Sequence, residues 1–270
     1  MGGAVWAPHR PGGSREPRLR FVRRVVLLLW LLLGCAGDAD VVSVFAASSL
    51  TDAFADLERA YEATHPGVDL QVTHAGSQVL RLQIEQGAGA DVFVSADARH
   101  VEALRGGGLA GQAVAIATNE LVIGVPLDDR VGIREFADLD RAGRIVVGTA
   151  DVPVGAYTRQ VLTTAEQTHG AAFVYAVRAR VVSEESNVRL VRAKVALGEA
   201  DAAFLYRTDT VSGAVRAVEL PSELRVRATY VAAPVARPGR TDHASRDAFL
   251  AWLRGPEART VLEGGGFGAP

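Results

Sequence analysis

One cysteine, Cys35, stands in the whole sequence, which excludes a disulfide within the chain even in an oxidising compartment. Long apolar runs are scarce as well. The run Val25-Val26-Leu27-Leu28-Leu29-Trp30-Leu31-Leu32-Leu33 falls far short of the roughly 20 residues that span a bilayer, and no other segment is long enough. No basic run follows it, which argues against nucleic acid as a partner. The sequence has no G-x-S-x-G, no P-loop, no glycine-rich dinucleotide fingerprint and no Cys-His pair, so the common catalytic signatures are missing. Beyond the N-terminal segment the histidines are His65, His74, His100, His169 and His243. Their spacing pairs none of them as metal ligands, and they are expected on the surface. No internal repeat or low-complexity tract is present.

The N-terminus has a pattern of its own. Arg10, Arg15, Arg18, Arg20, Arg23 and Arg24 precede the apolar run, which is the layout of a secretory signal. The run ends in Leu32-Leu33-Gly34-Cys35, similar to a bacterial lipobox. Residues 1–35 therefore read as a lipoprotein-type signal with Cys35 as the lipidated residue. Two other readings stand beside it: a stray cysteine next to an ordinary cleavage site, and a loose twin-arginine signal at Arg23-Arg24. On each of them the protein is exported. Removing residues 1–34 takes away six arginines and one glutamate, moving the formal net charge from −2 to −7. What remains is the length of one large domain or two modest lobes.

Strand and helix signals then alternate almost without a break. Val41–Ala46 reads as a buried strand, and Leu50, Phe54, Leu57 and Tyr61 recur at helical spacing up to His65-Pro66-Gly67. Val68, Leu70 and Val72 alternate as in a strand; a helix over Gln78–Gln86, a short strand over Asp91–Ser95 and a helix capped by Asp97 follow. This rhythm predicts an α/β domain with a largely parallel sheet. "AVAIATNELVIGVP", Ala113 to Pro126, is a longer extended run with polar residues at its middle, as expected of a strand leaving one sheet for another. A second series follows: strand 144–149, helix 156–167, strand 181–183, helix 187–198 and strand 202–206. "LRVRATYVAAPVA", Leu224 to Ala236, crosses back, and helices around 244–253 and 256–262 finish the first lobe. The expected organisation is residues 38–117 plus 228–270 in one lobe and 118–227 in the other, with a hinged cleft between.

Four strand-to-helix junctions share a design. In open α/β sheets ligands sit beyond the carboxyl ends of strands, where free helix N–H groups favour an anion. "AASSLT" at Ala46 to Thr51 offers such donors with no bulky side chain in the way. Ala75-Gly76-Ser77-Gln78 repeats it, and "GTADVPVGAY" and "SEESNVRLV" give a third and fourth. In the third, Pro153 and Gly155 are expected to shape a loop before the helix. A plainer reading makes Ser49 and Asp52 a capping box and Ser77 the cap of its own helix. Tyr206, ending "AAFLY", is either a rim residue or one more donor into the cleft.

These segments also carry a resemblance. "VFAASSLTDAF", "AGSQVLRLQIEQGAGADVFVSAD", "NELVIGVP", "VPVGAY" and "NVRLVRAKVALGEADAAFLYRTD" are similar to the molybdate-binding proteins of molybdate ABC importers, over roughly Val41 to Gly268. The resemblance implies a bilobal type II periplasmic binding protein, two α/β lobes joined by two crossing strands. It places an oxyanion on Ser49 and Ser77 of the first lobe and on Val154, Val188 and Tyr206 of the second, with Ser48 as a further candidate. Serine and tyrosine hydroxyls would donate, and the valines would offer main-chain N–H groups. Val154 stands where relatives often carry alanine. The same resemblance implies a separate ABC permease and ATPase as partners, a monomer, no cofactor beyond the molybdate or tungstate cargo, and a periplasmic or cell-surface location.

The donor set is neutral throughout. A fully deprotonated tetrahedral dianion needs donors only, which suits molybdate, tungstate or sulfate; hydrogen phosphate would want an acceptor. A bare transition-metal cation would want His, Cys or carboxylate clusters. Related ferric-ion binders use adjacent tyrosines, which this sequence lacks, and Leu205 stands where six-coordinate tungstate binders carry an acid. Two further readings are a serine-dependent hydrolase, for which His74 is the one histidine near either serine, and a sensor domain, for which no output module is attached.

Overall fold

The computed structural model describes residues 1–4, 39–237, 239 and 243–270. The expected signal, Cys35 and the Arg23-Arg24 pair lie outside the described residues. The body begins with β1 (Asp40–Ala47), which runs parallel to β2 (Val68–Ala75) and to β3 (Val92–Ser95). Between them lie α1 (Thr51–Thr64) and α2 (Ser77–Glu85), with α3 (Ala98–Gly106) after β3. The apolar spacing read in α1 buries Phe54, Leu57 and Tyr61. Asp97 caps α3 as expected, accepting the Arg99 N–H.

β4 (Val114–Pro126) is the strand that changes sheet. Its first half, Val114 to Glu120, pairs antiparallel with β9 (Arg227–Pro234); its second half, Leu121 to Pro126, pairs with β7 (Ala202–Tyr206) and β8 (Val215–Val218). In the second half of the chain β5 (Ile145–Gly148) lies parallel to β6 (Val181–Glu185) and to β7. The full order is β2-β1-β3-β9-β4-β7-β5-β6. β9 pairs only with β3 and β4 among the described strands, so the chain returns to the first half near Val226, whose carbonyl accepts the Leu121 N–H. Two α/β lobes joined by two crossing strands are the result.

Helices α4 (Pro153–Thr168), α5 (Ala171–Ala179) and α6 (Val188–Ala196) belong to the second half of the chain, and α7 (Ala244–Leu253) and α8 (Pro256–Gly264) close it. Helix α5 is not foreseen in the sequence reading. Gly170 turns the chain at φ 84° between α4 and α5, a conformation that favours glycine. The apolar run of α5 then buries Val174 and Val177. The closing helices pack on the first lobe: Tyr61 of α1 meets Phe249 and Trp252 edge-on at 5.0 and 5.2 Å.

The expectation of surface histidines is corrected. His100 is buried, His74 is half-buried, and burial drives the ordinary imidazole pKa down in both. No helix among the described residues is long and apolar enough to cross a membrane.

Candidate functional site

Two parallel pairs of strands, β1 with β2 and β5 with β6, hand over to helical segments around one cavity. β1 enters a 3-10 turn, Ser48–Leu50, and then α1; β2 enters α2; β5 leads to α4; β6 leads to α6. The cavity is small, about 10 Å³, with Ser48, Ser49, Ser77, Val154, Val188 and Tyr206 in its wall. All five positions named from the sequence thus meet at one place, with Ser48 beside them. That volume is about the room of one water, far below the roughly 300–1,000 Å³ of sites for drug-sized ligands.

The helix starts here are short of caps. The N-cap residues of α1, α2 and α4 are Leu50, Gly76 and Val152, and none makes a side-chain cap. Only α6 has one, Asn187, which accepts the Leu190 N–H. Main-chain N–H groups in a first helical turn have no acceptor inside the helix, and the dipoles behind them favour negative charge. The uncapped starts of the 3-10 turn, of α2 and of α4 converge on one small cavity and make an anion-seeking surface.

The capping explanation for the serines is overturned by their contacts. Ser49 lies in the 3-10 turn and accepts the Tyr230 hydroxyl at 2.9 Å. Ser77 is the first residue of α2, not its cap, and its Oγ accepts the Ala96 N–H at 3.2 Å. In each case a protein donor occupies the oxygen, leaving the serine proton for another partner. Ser77 is 1 % exposed and Ser49 9 %.

The loop expected before α4 needs a correction. The loop expected around Pro153 and Gly155 is the first turn of α4, with Pro153 at its start, where a missing N–H costs nothing. A Cβ at Gly155 would collide with the carbonyl oxygens of Gly148 and Thr149. Glycine there lets α4 start directly against the end of β5, which brings the Val154 N–H to the cavity. Val188 holds the matching place in α6.

Tyr206 is no rim residue. It is 1 % exposed, and its hydroxyl is buried with no hydrogen-bond partner among the described residues. Burial drives its pKa well above the ordinary tyrosine value, so the phenol keeps its proton. An unpaired buried hydroxyl costs about 1–3 kcal/mol. One facing a cavity of donors is explained by a ligand that accepts.

No residue in the cavity wall carries a charge. A buried acid, Asp209, sits behind Tyr206: its Oδ2 accepts the Tyr206 N–H at 3.0 Å. Burial pushes its pKa up from the ordinary 3.8 to about 7. Between those values Asp209 is protonated when folded and ionised when unfolded, so stability falls as pH rises from about 4 to 7 and levels off above. Asp209→Asn keeps the acceptor and removes the titration. Chemical denaturation at pH 4.5 and 7.5 should show the wild type losing at least about 1 kcal/mol more than the variant over that interval. Parallel pH curves would contradict the assignment.

Several contacts cross the cleft. Gln78 Nε2 donates to the Ser186 carbonyl at 2.7 Å, and the Tyr157 hydroxyl to the Ala96 carbonyl at 3.3 Å. Arg189 meets both carboxylate oxygens of Asp52 at 3.1 and 3.2 Å; Asp52 is well exposed, so this pair contributes less than about 1 kcal/mol. Among the described residues no group of His, Cys, Asp and Glu is placed to hold a metal cation. Sequence reasoning missed Tyr230, because nothing in "RATYVAAPV" connects a strand tyrosine to a serine 181 residues away.

Comparisons with known proteins agree with this geometry. The family described as "Bacterial extracellular solute-binding protein" matches residues 42–268. The molybdate-binding protein ModA of Mycobacterium tuberculosis H37Rv is 36% identical over 241 residues, covering 88% of each chain. The periplasmic molybdate-binding protein of Azotobacter vinelandii superposes with a TM-score of 0.71 at 21% identity, covering 85% of this chain and 99% of that one. The sulfate-binding protein SubI of Mycobacterium tuberculosis H37Rv gives 0.74 at 16% identity, covering 84% and 86%. At those identities the two structures speak for the fold alone.

Proposed function

The chain belongs to the family of bacterial extracellular solute-binding proteins, and on that premise we propose that it captures molybdate, and tungstate equally, for an ABC importer. The observation that carries the reading is the cavity: charge-free, rich in donors and lined by Tyr206, whose buried hydroxyl has no partner among the described residues. Ser49, Ser77 and Tyr206 would donate through hydroxyls, and Val154 and Val188 through main-chain N–H groups. Similarity to ModA, a molybdate-binding protein by name, supports the choice of ion. Sulfate is the alternative, supported by the likeness in fold to SubI and by the same need for donors.

The family is one of binding proteins, and the serine contacts support the same view. The partners of Ser49 and Ser77 are a phenol and a main-chain N–H, neither of which is a general base. In the proposed mechanism residues 38–117 plus 228–270 form the lobe that first receives the ion, and residues 118–227 close over it. Closure adds the donors of Val154, Val188 and Tyr206 and excludes water, a hinge motion about β4 and β9. A permease with its ATPase would then receive the ion. We further propose that Cys35 anchors the exported chain through lipid. The mass of membrane-extracted protein should include a diacylglycerol-bearing Cys35, whereas a soluble form beginning after it would rule the anchor out.

A thermal-shift panel tests the ion. Stabilisation by a ligand grows as RT ln(1 + [L]/Kd), about 2.7 kcal/mol at a hundred-fold excess over Kd. Molybdate and tungstate should each raise the melting temperature by several degrees, and hydrogen phosphate should not. A shift with phosphate alone would sink the reading.

A further inference from the structure

Ser49 can reach an anion with its proton only if something else satisfies its oxygen, and the structure shows what does. The Tyr230 hydroxyl sits 2.9 Å from Ser49 Oγ, in a side chain with no exposed surface. The buried phenol gives its proton to Ser49 Oγ, so the serine oxygen is satisfied from the protein side and its own proton is left for another partner. The Tyr230 ring is held in place by edge contacts to Tyr206 at 6.0 Å and Phe267 at 5.3 Å.

We propose that Tyr230 is a positioning residue for the oxyanion site: its hydroxyl donates to Ser49 Oγ and so commits the Ser49 proton to the cavity. The inference rests on the reading of the cavity as an oxyanion site. Chains of hydrogen bonds polarise one another, so the relay strengthens the final donor as well as aiming it. It also adds to specificity. A serine locked as a donor repels the proton of a hydrogen phosphate, while a fully deprotonated dianion meets no such conflict. Tyr230 does not line the cavity, so it does not act by touching the ion.

A double-mutant cycle read by calorimetry with sodium molybdate tests this. Tyr230→Phe keeps the ring and deletes one oxygen. It should weaken molybdate binding three- to ten-fold in the otherwise wild-type protein and less than two-fold in a Ser49→Ala background, because its effect passes through Ser49. Tyr230→Leu, measured in the same two backgrounds, should follow the same pattern and serves if Tyr230→Phe does not fold. A structural role alone would produce equal losses in both backgrounds; equal losses, or no loss in either, overturn the relay. If wild-type protein gives no binding heat with molybdate, the oxyanion site itself falls and the relay with it.

Discussion

Ser77→Ala is expected to weaken molybdate binding about 10- to 100-fold, and Ser49→Ala by a similar factor. Each hydroxyl would donate to a buried dianion, a charged hydrogen bond worth about 1.5–3 kcal/mol, and about 1.4 kcal/mol is tenfold in affinity. Some stability is lost too, because Ala96 N–H and the Tyr230 hydroxyl lose their acceptors. Affinity is therefore the informative readout. A role confined to packing would lower the melting temperature and leave affinity alone. Tyr206→Phe behaves differently: its hydroxyl has no partner among the described residues, so the variant should bind several-fold more weakly while melting no lower than wild type. Val154→Ala should change little, since the donor proposed there is main chain. If both serine variants keep full affinity, the ion is not bound where these residues meet.

Gly76→Ala is expected to cost at least 100-fold in affinity without unfolding the protein. Gly76 has φ −60° and ψ 139°, a conformation alanine adopts freely. A Cβ there would collide with the Ser186 carbonyl across the cleft and with the Gln78 side-chain amide. The amide can move; the carbonyl belongs to the opposite lobe and cannot approach. Closure is then blocked, and two or more donors from the second lobe are lost together, at about 1.5–3 kcal/mol each. Small-angle scattering should show wild-type protein compacting with molybdate and Gly76→Ala unchanged, with similar melting temperatures in the absence of ligand. Trp252 is a poor reporter for this motion, because it packs on Tyr61 and donates to Glu257 at 2.8 Å, far along the chain from the cleft-lining segments. Wild-type affinity together with normal compaction in Gly76→Ala would contradict closure across Gly76.

Much of this was legible in the sequence because the signals were local. The alternation of Val68, Leu70 and Val72, the Asp97 cap and the polar middle of Ala113 to Pro126 each depend on neighbours in the chain. The four strand-to-helix junctions could be named for the same reason, and they meet at one cavity. Features created by contact between distant segments were not legible. Ser49 looks like half of a capping box with Asp52, yet its partner is Tyr230; Ser77 looks like a cap, yet it holds Ala96. Pro153 reads as a loop residue because proline breaks helices, although it is equally at home at a helix start. Helix α5 was missed because its β-branched and aromatic residues are weak helix formers, and packing of Val174 and Val177 decides the outcome.

Calorimetric titration of the soluble body with molybdate, tungstate, sulfate and phosphate at neutral pH tests the central claim most directly. The account predicts saturable one-to-one binding of molybdate and tungstate, weaker binding of sulfate, and none of phosphate. Absence of binding heat with both molybdate and tungstate, or tighter binding of phosphate than of either, would contradict it.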